Sequence, residues 1–274
     1  MIKSYDFVPF LKCKVYHGNG NLEGRILIRV KVLTPVHIFS GHFRVQDNGK
    51  IYREFIKTNG RPIIPGTSFK GCIRTIAESV SYSCLQTSLP HEKLPTDKRH
   101  DGQHKCIICD MFGGMGNKSK IRFSDLVAVN YKTEVRGIPR SFRPHPESNY
   151  YMENGKYKGY KFYKHGINGI QPSGPILCEF VNAGSEFEGE VIYRGLTDEQ
   201  VRLLCFALGL SGDIQPKIGY GKPYFYGSIE INSQPEWADK AREYVSECDD
   251  EVRKNISALI RILNYSNALK SYEG

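Results

Sequence analysis

The chain holds a single tryptophan and no apolar run long enough to cross a bilayer, which argues against a helical membrane protein. Its opening, Met1-Ile2-Lys3-Ser4-Tyr5-Asp6, lacks the apolar stretch of a secretory signal. Low-complexity tracts and tandem repeats are missing too. None of the glycine-rich segments has the Gly-Lys-Ser/Thr order of a Walker A loop, and none reads as a dinucleotide fingerprint. Eight cysteines without a secretory signal indicate a reducing compartment, where thiols serve as core residues or metal ligands. The expected location is cytoplasmic.

Acidic residues are the scarcer charge: 29 Asp and Glu face 38 Lys and Arg, for a formal charge of +9. That balance favours a polyanionic partner. With 274 residues, 40% of them apolar, the chain can build a sizeable core. Its 17 tyrosines and 14 phenylalanines suit core packing and base stacking alike.

Ile26 to Leu33 alternates and is rich in β-branched residues, which predicts a strand ended by Thr34-Pro35. Asp47-Asn48-Gly49 predicts a hairpin turn. Ile64-Pro65-Gly66-Thr67-Ser68-Phe69-Lys70-Gly71 then turns into a helix reaching about Cys84. Phe69, Cys72, Ile73, Ile76 and Val80 form its apolar face, Thr67 or Ser68 is its expected cap, and Lys70 and Arg74 share another face. A helix N-terminus backed by two cations suits phosphate. Further strands are expected over 121–129, 176–180, 187–193 and 224–231. Thr197 with Gln200 and Ser233 with Glu236 read as capping boxes, the second opening one long helix over 235–264. The order strand, helix, strand, strand, helix, strand is the ferredoxin-like pattern, interrupted by two insertions. The fold class is therefore α+β: a ferredoxin-like core in one domain (24–84, 121–130 and 176–233), a metal-stapled insertion at 84–116 and a long protruding hairpin at 130–175.

Four segments carry chemistry. His104-Lys105-Cys106-Ile107-Ile108-Cys109, with Cys84 upstream, has the ligand types and Cys-x-x-Cys spacing of a structural zinc site. The expected ligands are Cys84, His104, Cys106 and Cys109, with His91 and His100 competing for the remaining position. Gly113-Gly114-Met115-Gly116 followed by Lys118 and Lys120 forms a basic glycine turn. Lys217-Ile218-Gly219-Tyr220-Gly221-Lys222 forms another, running to Gly227, whose amides suit phosphate oxygens while its tyrosines suit packing. Residues 130–175 interleave cations and aromatics, with Arg136, Arg140 and Arg143 as the foremost phosphate contacts, a composition that fits RNA.

Together these segments resemble the RAMP superfamily of CRISPR proteins, and within it the guide-RNA-binding backbone subunits of type III effectors. The resemblance rests on Leu33-Thr34-Pro35-Val36-His37-Ile38 with Ser40-Gly41, on Ile64 through Gly71 with Ile73-Arg74, and on Cys106-Ile107-Ile108-Cys109 before Met111-Phe112-Gly113. It rests also on the late glycine loop from Gly219 to Gly227, similar to the family's G-loop. It implies an RRM-like core, a palm with a protruding thumb, several copies stacked along one guide RNA, a complementary RNA or DNA target, other effector subunits as partners, and a structural zinc. The positions matching the family's RNA-binding loops are His37, Ser40, Ser68, Lys70, Arg74, Lys217, Tyr220 and Lys222.

Target-cutting backbone subunits carry an aspartate in the loop after the first strand, whereas here His37 to Arg44 holds no acid before Asp47. The expectation is a scaffold that binds guide and does not cut. The alternatives are an endoribonuclease using Asp47 with a divalent metal, or His37 and His42 as acid and base, and a stand-alone zinc-containing RNA-binding protein.

Overall fold

Strand β2 (Leu22–Val32) shows why the core forms where it does: Ile26, Ile28, Val30 and Val32 point inward and are buried, while Leu27, Arg29 and Lys31 point out. In the computed structural model, which describes residues 3–85, 93–100, 104–114, 116–141, 145, 148–167 and 173–270, β2 lies near one edge of the main sheet. The other strands are β1 (Tyr5–Pro9), β3 (Phe39–Val45), β4 (Ile51–Phe55), β5 (Lys57–Thr58), β6 (Arg61–Ile64), β7 (Ile121–Phe123) and β8 (Leu126–Asn130). They continue with β9 (Thr133–Ile138), β10 (Met152–Glu153), β11 (Lys156–Tyr157), β12 (Gly159–Tyr163), β13 (Ile176–Val181), β14 (Glu186–Leu196) and β15 (Ile229–Asn232). The α-helices are α1 (Gly66–Ser79), α2 (Ile107–Phe112), α3 (Asp198–Ala207), α4 (Pro235–Glu247) and α5 (Asp250–Leu263).

The main sheet runs β15-β2-β14-β8-β6-β5, with β7 also on β14. Taken along the chain, β2, α1, β8, β14, α3 and β15 follow the ferredoxin-like order, and the fourth and third strands flank the first. Phe69, Ile73 and Ile76 of α1 and Val201 and Leu204 of α3 join the inward residues of β2 in one apolar cluster. The Thr197–Gln200 capping box opens α3 as the sequence predicts.

Helix α1 starts differently. Neither Thr67 nor Ser68 caps it. The Gly66 N–H instead donates to the Asp125 carboxylate at 2.8 Å, so an acid of the chain itself occupies the helix N-terminus. Gly66 is required by contact: a Cβ there would meet the Phe123 carbonyl at 2.4 Å.

Two further expectations give way. The stripe over 235–264 divides into α4 and α5, because Cys248 leaves helical geometry and Asp249 caps a new helix through the Val252 N–H. Ser233 does not cap α4; its hydroxyl donates to the Leu27 carbonyl. Within 130–175 the described strands do not form one long hairpin. β9 pairs with β13, β12 pairs with β1, and only β10 and β11 make a short hairpin of their own. Buried Tyr160 and Phe162 alternate along β12, and this inward face draws the strand onto the core. A second sheet, β3-β4-β13-β9, stands beside the main one. Among the described residues, no helix is long and apolar enough to cross a membrane.

Candidate functional site

The glycine loop between α3 and β15 folds against the loop that follows β2. The Tyr220 N–H donates to the His37 carbonyl at 2.8 Å, and the Gly227 N–H donates to the Pro35 carbonyl at 2.9 Å. Gly219 (φ +84°) makes this approach possible, since a Cβ there would lie 2.3 Å from the His37 carbonyl oxygen. The near end of β9 joins them: the Tyr224 hydroxyl donates to the Arg140 carbonyl at 3.0 Å, and the Ser141 and Tyr220 hydroxyls lie 3.4 Å apart. Tyr226 is buried with Ile138, Cys178 and Phe180, so part of the tyrosine content of this loop serves packing.

Beside this junction lies a cleft of about 540 Å³. Its walls include Ser68, Gly71 and Cys72 of α1, Lys161 of β12, and Lys217, Gly219 and Lys222 of the glycine loop. Among the described residues, no Asp or Glu lines it. The Lys222 Nζ donates to the Gly219 carbonyl, the Lys217 Nζ to the Ser228 hydroxyl and the Lys161 Nζ to the Tyr151 hydroxyl. Among the described residues, none of these lysines pairs with a carboxylate. Burial, and next the charge of Lys222, push the Lys217 ammonium well below its ordinary range; Lys222 is lowered chiefly by burial. A bound anion would offset that burial and favour the charged form of these lysines.

The sequence-selected residues divide sharply. Ser68, Lys217 and Lys222 meet in the cleft, and the Tyr220–His37 backbone bond joins the segments of its lining residues Gly219 and Ile38. Lys217 is only 6% exposed, so it reaches the cleft from within and not as a surface cation. His37 is equally interior: its Nδ1–H donates to the Glu179 carbonyl at 2.6 Å, its buried Nε2 has no hydrogen-bond partner among the described residues, and burial holds its pKa below the usual imidazole value. Ser40 lies on β3, its hydroxyl accepting from the His42 N–H. Lys70 donates to the Ser119 hydroxyl at 2.7 Å, and burial lowers its pKa. Arg74 is committed to Glu78 at 2.8 Å and to the Gly113 carbonyl at 3.0 Å. Arg136 pairs with Glu134. Arg143 and His91 fall outside the described residues. Asp47 is exposed in the turn between β3 and β4 and belongs to no potential metal-binding group among the described residues. Lys161 is a cleft residue that its position in the basic-aromatic segment suggested without distinguishing it from its neighbours.

A separate cysteine centre sits where the chain leaves α1. The Cys84 Sγ lies 3.6 Å from that of Cys106, 3.3 Å from that of Cys109 and 3.2 Å from the His100 Nδ1. Cys13, Cys84 and Cys106 form one potential metal-binding group, and Cys84, His100 and Cys109 another. Tetrahedral ligation by sulfur at about 2.3 Å sets ligand edges near 3.8 Å, which these spacings approximate. Cys106 caps α2, its sulfur accepting from the Cys109 N–H at 3.4 Å, so the Cys-x-x-Cys turn preorganises both thiols. Hydrogen bonds from Cys109, Cys13 and Cys84 lower the Cys106 thiol below the ordinary thiol range. Buried Lys98 stands close by, its Nζ donating to the Ser83 carbonyl and hydroxyl.

The expected His104 ligand is exposed and lies in neither group; His100 stands there instead, because the bridge between Leu85 and Arg99 carries it alongside Cys84. Cys13 was missed. No sequence spacing marks it, and it arrives through tertiary pairing alone: the Cys13 N–H donates to the Asp97 carbonyl at 3.0 Å and the Lys14 N–H to the Tyr82 carbonyl at 3.2 Å.

The fold is that of a ferredoxin-like α+β protein with a cleft beside its glycine loop. The profile of the RAMP superfamily matches residues 29–230, and the chain belongs to that superfamily. Membership carries a CRISPR-associated, RNA-binding role in general terms. Comparison with curated proteins finds no match.

Proposed function

We propose that this chain is a guide-RNA-binding backbone subunit of a type III or type III-derived CRISPR effector, stacking in several copies along the guide and presenting it to a complementary RNA or DNA target. The observation that carries this reading is the cleft lined by Lys161, Lys217 and Lys222 and, among the described residues, by no carboxylate. A sugar-phosphate strand laid there meets cations from β12 and the glycine loop, together with the Ser68 hydroxyl of α1. Arg74 drops out of the proposed contact set, since Glu78 already neutralises it. Lys70, Arg136 and Arg140 belong to its margins.

The cysteine centre is proposed to hold structural zinc. Cys84, Cys106 and Cys109 are its core ligands, and Cys13 or His100 completes the shell. Bound there, zinc would staple the N-terminal segment, the end of α1 and α2, so its contribution is to folding.

The chain is proposed not to cleave target. Asp47 stands on an exposed turn and belongs to no potential metal-binding group of three or more residues among the described residues, and the buried His37 has Nδ1 committed to a backbone carbonyl. The purified complex, given guide and labelled complementary RNA with magnesium, tests this directly. Intact target is expected, and regular cuts abolished by Asp47→Ala would overturn it. RNA of uniform length copurifying with the chain supports the backbone role, whereas a lone monomer free of RNA counts against it.

A further inference from the structure

The β3–β4 ribbon has two unlike faces. On one, Phe43 lies opposite Arg53 and Val45 opposite Ile51, with Phe39 beyond a bulge. Phe43, Val45 and Ile51 are 61%, 66% and 62% exposed, an unusual concentration of apolar surface. On the other face Arg44 pairs with Glu54 at 3.0 Å. The Phe39 and Phe43 rings meet edge to face at 5.4 Å. The Arg53 guanidinium lies 5.7 Å from the Phe39 ring centre and 5.4 Å from that of Tyr220. Among the described residues no carboxylate pairs with Arg53. The ribbon adjoins the segment that lines the lysine cleft through Arg53, which reaches the ring of Tyr220 between the cleft-lining Gly219 and Lys222.

From this arrangement we infer that the Phe39–Phe43–Arg53 face of the ribbon is a base-stacking platform for single-stranded RNA, receiving nucleobases whose phosphates lie along the lysine cleft. The inference rests on the RNA-binding reading of that cleft. Aromatic and guanidinium faces accept any base, and an unneutralised arginine matches the charge of the strand. A protein partner would gain from the aliphatic tip but would leave Arg53 needing an acid. A nucleic acid strand uses the rings and the charge together. The division of labour follows from the chemistry: lysines at the cleft position the backbone, and the ribbon holds bases without reading their sequence.

The test is binding of labelled single-stranded RNA of mixed sequence to the full chain by fluorescence anisotropy across a salt series. Phe43→Ala is expected to weaken binding roughly ten-fold with the salt slope unchanged, since a stacked base and not an ion contact is lost. Phe43→Trp is expected to restore affinity. Removing single bases, as abasic sites, from the RNA should cost the wild type affinity at one or more positions and cost Phe43→Ala less there. Because Phe43 is exposed, circular dichroism of Phe43→Ala should match the wild type. Unchanged affinity in Phe43→Ala, with Lys222→Ala still weakened, would overturn the platform and leave the cleft reading standing. Absence of RNA binding by the wild type would overturn both. Loss of self-association in Phe43→Ala, with RNA binding intact, would reassign the ribbon to a protein contact.

Discussion

The backbone N–H of Tyr220 donates to the carbonyl of His37 at 2.8 Å, joining two loops that lie far apart in sequence. This bond fixes the glycine loop against the first loop and so joins the segments of Gly219 and Ile38, which line the lysine cleft. Gly219 sits at the closest point, with a left-handed φ of +84° and no room for a Cβ beside the His37 carbonyl.

Gly219→Ala is therefore expected to lose about 1–3 kcal/mol of stability from backbone strain, with the clash adding to it. RNA affinity should fall with it as the loop moves off. Urea denaturation and anisotropy check the pair. Gly60, in the turn between β5 and β6, also has positive φ but meets nothing within 4 Å and is the control: its alanine variant should leave RNA binding unchanged.

Metal analysis of the natively purified chain should return one zinc per chain. Cys84→Ser and Cys106→Ser are expected to lose the metal and to destabilise the protein, because ligation and folding are coupled. Cys13→Ser and His100→Ala separate the two candidate shells: whichever residue ligates should release zinc, while the other variant retains it. Folded protein with no bound zinc would contradict the centre as described.

Acid should weaken the fold through buried histidine. The His165 Nδ1 lies 2.8 Å from the Ser228 hydroxyl and its Nε2 lies 3.0 Å from the Leu263 carbonyl. Burial first, and Lys217 second, hold its pKa down to about 3, against roughly 6.5 in the unfolded chain. Between these values the unfolded state binds more protons, so stability is full above about pH 6.5 and is lost as pH falls, by up to ~1.4 kcal/mol per unit. His37, lowered by burial, acts in the same direction. Denaturation midpoints from pH 7 to pH 4 should show the decline, and it should flatten in His165→Gln.

The sequence carried the periodic elements well. Alternation in β2, the Thr197–Gln200 box and the apolar face of α1 are local patterns, and each formed where local physics puts it. The failures are all tertiary. Asp125 caps α1 from another segment, so Thr67 and Ser68 were plausible caps that the fold bypasses. β12 pairs with the N-terminal β1, a partner invisible to any window of sequence, and this pairing replaces the expected long hairpin. Cys13 joins Cys84 and Cys106 only because the N-terminal segment runs past Tyr82 and Asp97. At the cleft, Lys222 and Lys217 were legible as charges on a glycine loop. The neutralisation of Arg74 by Glu78 was spaced for reading at i and i+4, yet the pull of a basic helix face obscured it.

The most direct test of the account is the salt dependence of single-stranded RNA binding by the wild type and by Lys161→Ala and Lys222→Ala. The wild type should bind, with affinity falling steeply as salt rises, and each substitution should weaken binding and reduce the logarithmic salt slope by about 1. Binding and slope unchanged in both variants would contradict a phosphate track along this cleft.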